Sequence, residues 1–188
     1  MKIGILTYQD TTNYGAALQV YALSNILKEH GYDYEVINYK CEAVEKREKL
    51  FHLNKLSLKG LIKFLILGKS NALKHKTFKT FMKENVHISE QRYSRNNIKE
   101  ANNVYDKFIV GSDQVWNVEL SGYDMTFYLD FCKDRNKKLS YAASIGLSKL
   151  PEDIKPKIKE LLDDFNHITI RENEGANIIK NLTGRDVP

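Results

Sequence analysis

The densest run of potentially reactive side chains in this 188-residue sequence is Gly111-Ser112-Asp113-Gln114-Val115-Trp116-Asn117, which follows an apolar stretch without a break. It holds four side chains with hydrogen-bonding heteroatoms and the only tryptophan of the chain. One reading makes Asp113 the cap of a short helix and Trp116 a core residue. The other makes the segment an acceptor-binding or acid/base loop with Asp113 as its carboxylate. The second reading explains more, because a cap seldom needs so many polar neighbours.

A second candidate, Asn13-Tyr14-Gly15-Ala16-Ala17, opens a helical pattern with a glycine and two small residues. Backbone N–H groups can approach a ligand there, where the helix dipole favours an anion. An Asn cap with a glycine for close helix-to-sheet packing accounts for the same spacing, and the string is no GxGxxG. Tyr14 adds an aromatic face for a sugar ring or a hydroxyl for a proton. Arg171 follows a short apolar run and precedes a helix, a place that suits a guanidinium gripping a carboxylate or phosphate. An ion pair with Glu172 or Glu174 is the equal alternative. His30, His52, His75, His87 and His167 have no metal-ligand spacing and no serine lies in a G-x-S-x-G elbow, so neither a metal site nor a serine hydrolase is expected.

These groups need a scaffold, and the apolar patterning supplies one. Residues 2–7 read as a strand, 9–13 as a polar loop, 16–30 as an amphipathic helix stopped by Gly31, and 34–39 as a second strand. A strand-helix-strand unit implies a parallel sheet. Residues 105–110, 138–143 and 167–170 predict three further strands. Pro151 and Pro156 mark the start of a helical stretch reaching Phe165, and residues 172–182 form a helix closed by Gly184. The fold class is α/β: a Rossmann-like open, mainly parallel sheet with helices on both faces, in one domain over residues 1–188. Ligands of such sheets bind beyond the carboxyl ends of the strands. Residues 9–15, 111–117, the segment Ser144-Ile145-Gly146 and Arg171-Glu172 should therefore meet along one edge.

Charge is unevenly placed. The whole chain carries +5, but residues 40–107 hold 16 Lys and Arg against 7 Asp and Glu, a local +9, while the rest sums to −4. That segment reads as a mostly helical insertion of two or three helices, one around 58–67 and another around 71–84. Its lysines are either solvated or offered to a membrane surface or acidic polymer. A net +5 is too mild for a dedicated nucleic-acid binder. No run reaches the roughly 20 apolar residues of a spanning helix. The N-terminal apolar run ends at Thr7, too soon for a signal-peptide core. Cys41 and Cys132, 91 positions apart, fit a reducing compartment and read as structural, so the chain is expected in the cytoplasm.

Lys2-Ile3-Gly4-Ile5-Leu6-Thr7-Tyr8, Asn13-Tyr14-Gly15-Ala16-Ala17-Leu18-Gln19, the string from Phe108 to Asn117, Ser140-Tyr141-Ala142-Ala143-Ser144-Ile145-Gly146 and Ile170-Arg171-Glu172 together resemble the polysaccharide pyruvyl transferase family. The resemblance leaves out roughly residues 40–99, and Gly-Ser-Asp-Gln-Val-Trp-Asn is its most specific part. It implies transfer of pyruvyl from phosphoenolpyruvate to two hydroxyls of a saccharide or lipid-linked saccharide, as a cyclic ketal, in surface polysaccharide synthesis. No cofactor or metal is implied. It also implies one half of a two-Rossmann architecture like that of GT-B glycosyltransferases, with a further half, expected to bring more basic residues, beyond Pro188; the 188 residues alone are then expected to be inactive. On that resemblance Asp113 is the acid/base, Arg171 joins an anion clamp, and Asn13, Tyr14, Gly15, Ser112, Gln114, Trp116, Asn117 and Ser144 shape the substrate site. A nucleotide-sugar glycosyltransferase and a non-catalytic carbohydrate-binding subunit are the alternatives.

Overall fold

A computed structural model of the chain describes the backbone of residues 1–53 and 58–188, and the side chains of these residues apart from 48–53, 58–69 and 71. Lys2–Leu6 (β1) runs through the middle of a five-stranded sheet. Asp33–Tyr39 (β2) and Ile88–Tyr93 (β3) lie to one side of it, Lys107–Gly111 (β4) and Lys138–Tyr141 (β5) to the other. The order is β3-β2-β1-β4-β5 and every pairing is parallel.

Strand periodicity sends alternate side chains to opposite faces, and here both faces are covered, as a parallel sheet requires. Ile3, Ile5 and Val36 pack beneath Tyr14–Glu29 (α1) and Leu58–Asn85 (α3), against Val20, Leu23, Phe78 and Met82. Leu6, Ile37, Tyr39, Phe108 and Val110 face the other way, against Trp116, Phe127, Phe165, Ile158 and Ile179. Lys155–Asp163 (α5) and Asn173–Thr183 (α6) close that second layer. Each fully buried Ile or Val contributes about 1.5–3 kcal/mol by leaving water. At Gly4 there is no room for a side chain: a Cβ would sit 2.8 Å from Ile37 Cδ1 and 2.9 Å from the Tyr105 ring.

The segment over residues 40–107 corrects one expectation. It contains Glu42–Leu53 (α2) and α3, a single helix where two were expected, but it also contributes β3. Only Ser89 and Tyr93 of that strand are buried, while Glu90, Gln91 and Arg92 are exposed. An edge strand with so polar a middle carries no apolar alternation to read.

The expected strand at residues 167–170 is a second correction. It makes two isolated parallel bridges, Leu139 with His167 and Ala143 with Ile170. Backbone bonds join the two segments, with Ser140 N donating to His167 O (3.0 Å) and Thr169 N to Ser140 O (3.3 Å), and side-chain hydroxyls supplement them: Ala142 N donates to Thr169 Oγ1 (2.8 Å), and Ser140 Oγ donates to Thr169 O (2.9 Å). Ala142, at φ +46°, turns the chain out of extended geometry at this point. Ile170 N instead donates to Pro188 O at 2.9 Å. Among the described residues no helix is long and apolar enough to cross a membrane.

Candidate active site at the carboxyl edge of the sheet

β1 and β4 are neighbours, so the loops that leave their carboxyl ends face each other. Between them opens a cleft of about 490 Å³. Its lining includes Tyr8, Thr11, Asn13 and Gly15 from the first loop and α1, Ser112, Asp113 and Gln114 from the second, Arg47 from α2, and Arg171.

Backbone constraints hold the second loop in place. Gly111 leaves β4 at φ +129°, and a Cβ there would lie 2.1 Å from Tyr141 O, so only glycine fits. Ser144 N donates to Asp113 O (2.9 Å) and Trp116 N to Ser144 O (3.1 Å), which ties the loop to the segment after β5. Asp113 Oδ1 accepts from Gln114 N at 2.7 Å. Asn13 caps α1, its Oδ1 accepting from Ala16 N at 3.1 Å, and lines the cleft as well. Cap and cleft wall are thus one residue.

Two guanidiniums face this space. Arg47 is anchored by Nη2, which donates to Glu119 O (3.2 Å) and Leu120 O (3.1 Å). Arg171 is half exposed, and its Nε lies 3.8 Å from Glu172 Oε2. The other carboxylate oxygen of Glu172 accepts from Ser144 Oγ (3.1 Å), Ile145 N (2.8 Å) and Gly146 N (3.2 Å). Glu172 therefore ties the loop after β5 to the segment that carries Arg171.

Two hydroxyls at the cleft have no partner. Tyr8 Oη and Thr11 Oγ1 are buried and make no hydrogen bond among the described residues. An unsatisfied buried donor costs about 1–3 kcal/mol, which a bound polar ligand can return. Burial first, then Cys41 and the Asp113 carboxylate, push the Tyr8 phenol far above its usual range, against the pull of Arg47. It stays protonated, with its donor unused within the described residues.

Six of the ten residues singled out from sequence line the cleft: Asn13, Gly15, Ser112, Asp113, Gln114 and Arg171. Four do not. Tyr14 is 68% exposed and leans on Phe78 (ring centroids 4.9 Å apart) with Lys74 Nζ 5.4 Å above its ring, so it caps an apolar contact between α1 and α3. Trp116 is wholly buried, stacks on Tyr128 and donates from Nε1 to Phe127 O (3.0 Å); it fills the core. Asn117 caps the short helix Val118–Ser121 (α4), accepting from Glu119 N and Leu120 N. Ser144 is buried against Glu172. The helix-cap alternative for this loop is real, but the cap is Asn117.

Sequence reasoning placed Thr11 among the loops of this edge but assigned no site role to it or to Tyr8, Gln19 and Arg47. Tyr8 stands two residues after Leu6, and both belong to the same packed cluster, as period two requires. Arg47 lay in the basic segment and carried no local signal at all. Both cysteines are buried, and burial raises both thiols above their usual range. Among the described residues no three His, Cys, Asp or Glu side chains are placed to hold a metal.

An open, all-parallel sheet with a polar, two-arginine cleft at the carboxyl ends of adjacent central strands defines a Rossmann-like α/β protein. The family model of polysaccharide pyruvyl transferases matches residues 13–187, and the chain belongs to that family. Searches of curated proteins and of solved structures found no match.

Proposed function

We propose that this protein transfers the pyruvyl group of phosphoenolpyruvate to two hydroxyls of a saccharide, forming a cyclic ketal and releasing phosphate. The observation that carries the reading is that one carboxylate, Asp113, and two guanidiniums, Arg47 and Arg171, line the same cleft in a chain of this family.

The chemistry asks for those groups. Protonating the methylene carbon of the enol phosphate makes it a methyl group and leaves positive charge on the carbon bearing the phosphate ester. A first sugar hydroxyl adds there, and the proton it loses makes up for the one spent on the methylene. Departure of phosphate breaks its C–O bond, and the second hydroxyl adds to the same carbon, its proton leaving with the phosphate, which closes the ketal. Asp113 serves as the proton exchanger for the sugar hydroxyls, and its negative charge stabilises the oxocarbenium-like centre. Arg47 and Arg171 grip the donor's carboxylate and phosphate, where paired N–H donors suit both groups. Tyr8 and Thr11 donate hydrogen bonds to the sugar, which returns the cost of burying them unpaired. The scheme uses the reactivity of the donor itself and calls on no cofactor.

Incubation of the full-length protein with phosphoenolpyruvate and candidate saccharides, followed by phosphate assay and mass spectrometry of the sugar, tests the reading. Saccharide-dependent phosphate release with a pyruvylated product supports it. Turnover of a nucleotide sugar, with phosphoenolpyruvate left intact, overturns it.

A further inference from the structure

The loop after β1 also borders a second cavity, of about 330 Å³, and Thr11 lines both spaces. Its floor is apolar, formed by Phe78 and Met82 of α3, and its rim is basic. His75, Lys79 and Lys83 follow one another at four-residue spacing along α3, a spacing that puts them on one helix face, and all three line the cavity. Arg92 of β3 faces them, and Asp10 is the carboxylate among the lining residues.

Like charges four residues apart weaken a helix by about 0.2–0.5 kcal/mol per pair, so the spacing of Lys79 and Lys83 does not serve helix stability. On α5 the lysines are matched: Lys157 pairs with Glu160 and Lys159 with Asp163. Lys79, Lys83 and Arg92 have no carboxylate partner among the described residues. Three cations left unmatched around a concave space at the carboxyl edge of a parallel sheet make an anion site. Lys79 and Lys83 leave the helix one turn apart, about 6 Å along its axis, so that both ammonium groups can converge on one phosphate or diphosphate in the cavity. Lysine binds phosphate as a point charge and arginine as a fork.

We propose that this cavity holds the phosphate or diphosphate of the acceptor, so that the saccharide is presented as a glycosyl phosphate or diphosphate with its sugar directed past Thr11 into the Asp113 cleft. The assignment of the ligand as acceptor rests on the transfer reading above; the anion site itself does not. The donor's phosphate stays with Arg47 and Arg171.

The test begins with calorimetric titration of inorganic diphosphate into the full-length protein, which needs no turnover. Saturable binding is expected, weakened at least tenfold in the Lys79→Ala/Lys83→Ala/Arg92→Ala protein. It should be unchanged in Lys155→Ala/Lys157→Ala/Lys159→Ala, which loses the same charge from α5. These side chains lie at the surface, and an unchanged melting temperature checks that both variants fold. Phosphoenolpyruvate affinity should be the same in all three proteins. A polyprenyl-diphosphate sugar and a nucleoside-diphosphate sugar, titrated next, separate a lipid carrier from a nucleotide as the source of the group. Absence of diphosphate binding, equal weakening by the two triple variants, or a tenfold loss of phosphoenolpyruvate affinity in the first would each overturn the proposal. Diphosphate binding by a protein that never consumes phosphoenolpyruvate would sustain the anion site and remove only the transfer reading.

Discussion

Gln19 Oε1 accepts from both the backbone N–H (2.8 Å) and the hydroxyl (3.0 Å) of Ser112, tying α1 to the loop that carries Asp113. Its Nε2 donates to Thr7 Oγ1 at 3.1 Å, so one amide joins the ends of β1 and β4 across the sheet edge. Gln19→Leu leaves the Ser112 N–H without its acceptor in a partly buried place, a cost of about 1–3 kcal/mol. Thermal denaturation should show that loss. Turnover should fall further than stability explains, because the Asp113 loop is no longer held. Gln19→Glu keeps the acceptor oxygen and should recover most of the activity; equal damage by both substitutions would contradict this role.

Tyr8 offers a case where function and stability pull apart. Its buried hydroxyl has no partner in the protein alone, so Tyr8→Phe should raise stability, by about 1 kcal/mol, since it removes an unpaired donor and keeps the ring against Phe127. The same change should raise the KM for the sugar roughly tenfold, the weight of one hydrogen bond to substrate. A melting temperature that falls, with kinetics intact, would show that the phenol is bonded within the fold.

Tyr8, Tyr39, Tyr105 and Tyr128 each have a phenol raised well above the ordinary value of 10.0, burial being the largest cause in every case. The charged form of tyrosine is the deprotonated one, so the folded state holds these protons where the unfolded chain has released them. Their contribution to stability is complete below about pH 10 and is lost as pH rises above it. Denaturant midpoints should be flat through neutrality and decline in alkali, and the phenolate absorbance of these four tyrosines, isolated by difference against single Tyr→Phe variants, should appear together with unfolding. Phenolate from any one of the four with the fold intact just above pH 10 would contradict its burial.

Much of this layout was legible because parallel strands buried on two faces leave short, nearly continuous apolar runs. Residues 2–7, 34–39, 105–110 and 138–143 each overlap an observed strand within about three residues at either end. β3 was hidden by its polar middle, and the segment at residues 167–170 was overread because Ala142, at positive φ, breaks the partner strand and leaves two isolated bridges where a continuous ladder was expected. In the site, position after a strand found Asp113, Ser112 and Gln114, but it did not distinguish a residue that faces the cleft from one that turns into the core. Trp116 and Asn117 follow Asp113 by three and four residues and serve packing and capping. Arg47 reaches the cleft only through tertiary placement of α2, which no local pattern announces.

Asp113→Asn is the most direct measurement of the central claim, that this carboxylate exchanges protons with the acceptor. The substitution keeps size and hydrogen-bonding shape, and the contact from Gln114 N to the retained oxygen, 2.7 Å in the native protein, can persist. With the melting temperature unchanged, steady-state phosphate release from phosphoenolpyruvate by the full-length enzyme should fall roughly 100-fold or more in kcat, with KM little altered. A variant that turns over at close to the native rate would reduce Asp113 to a loop-turn residue and contradict the account.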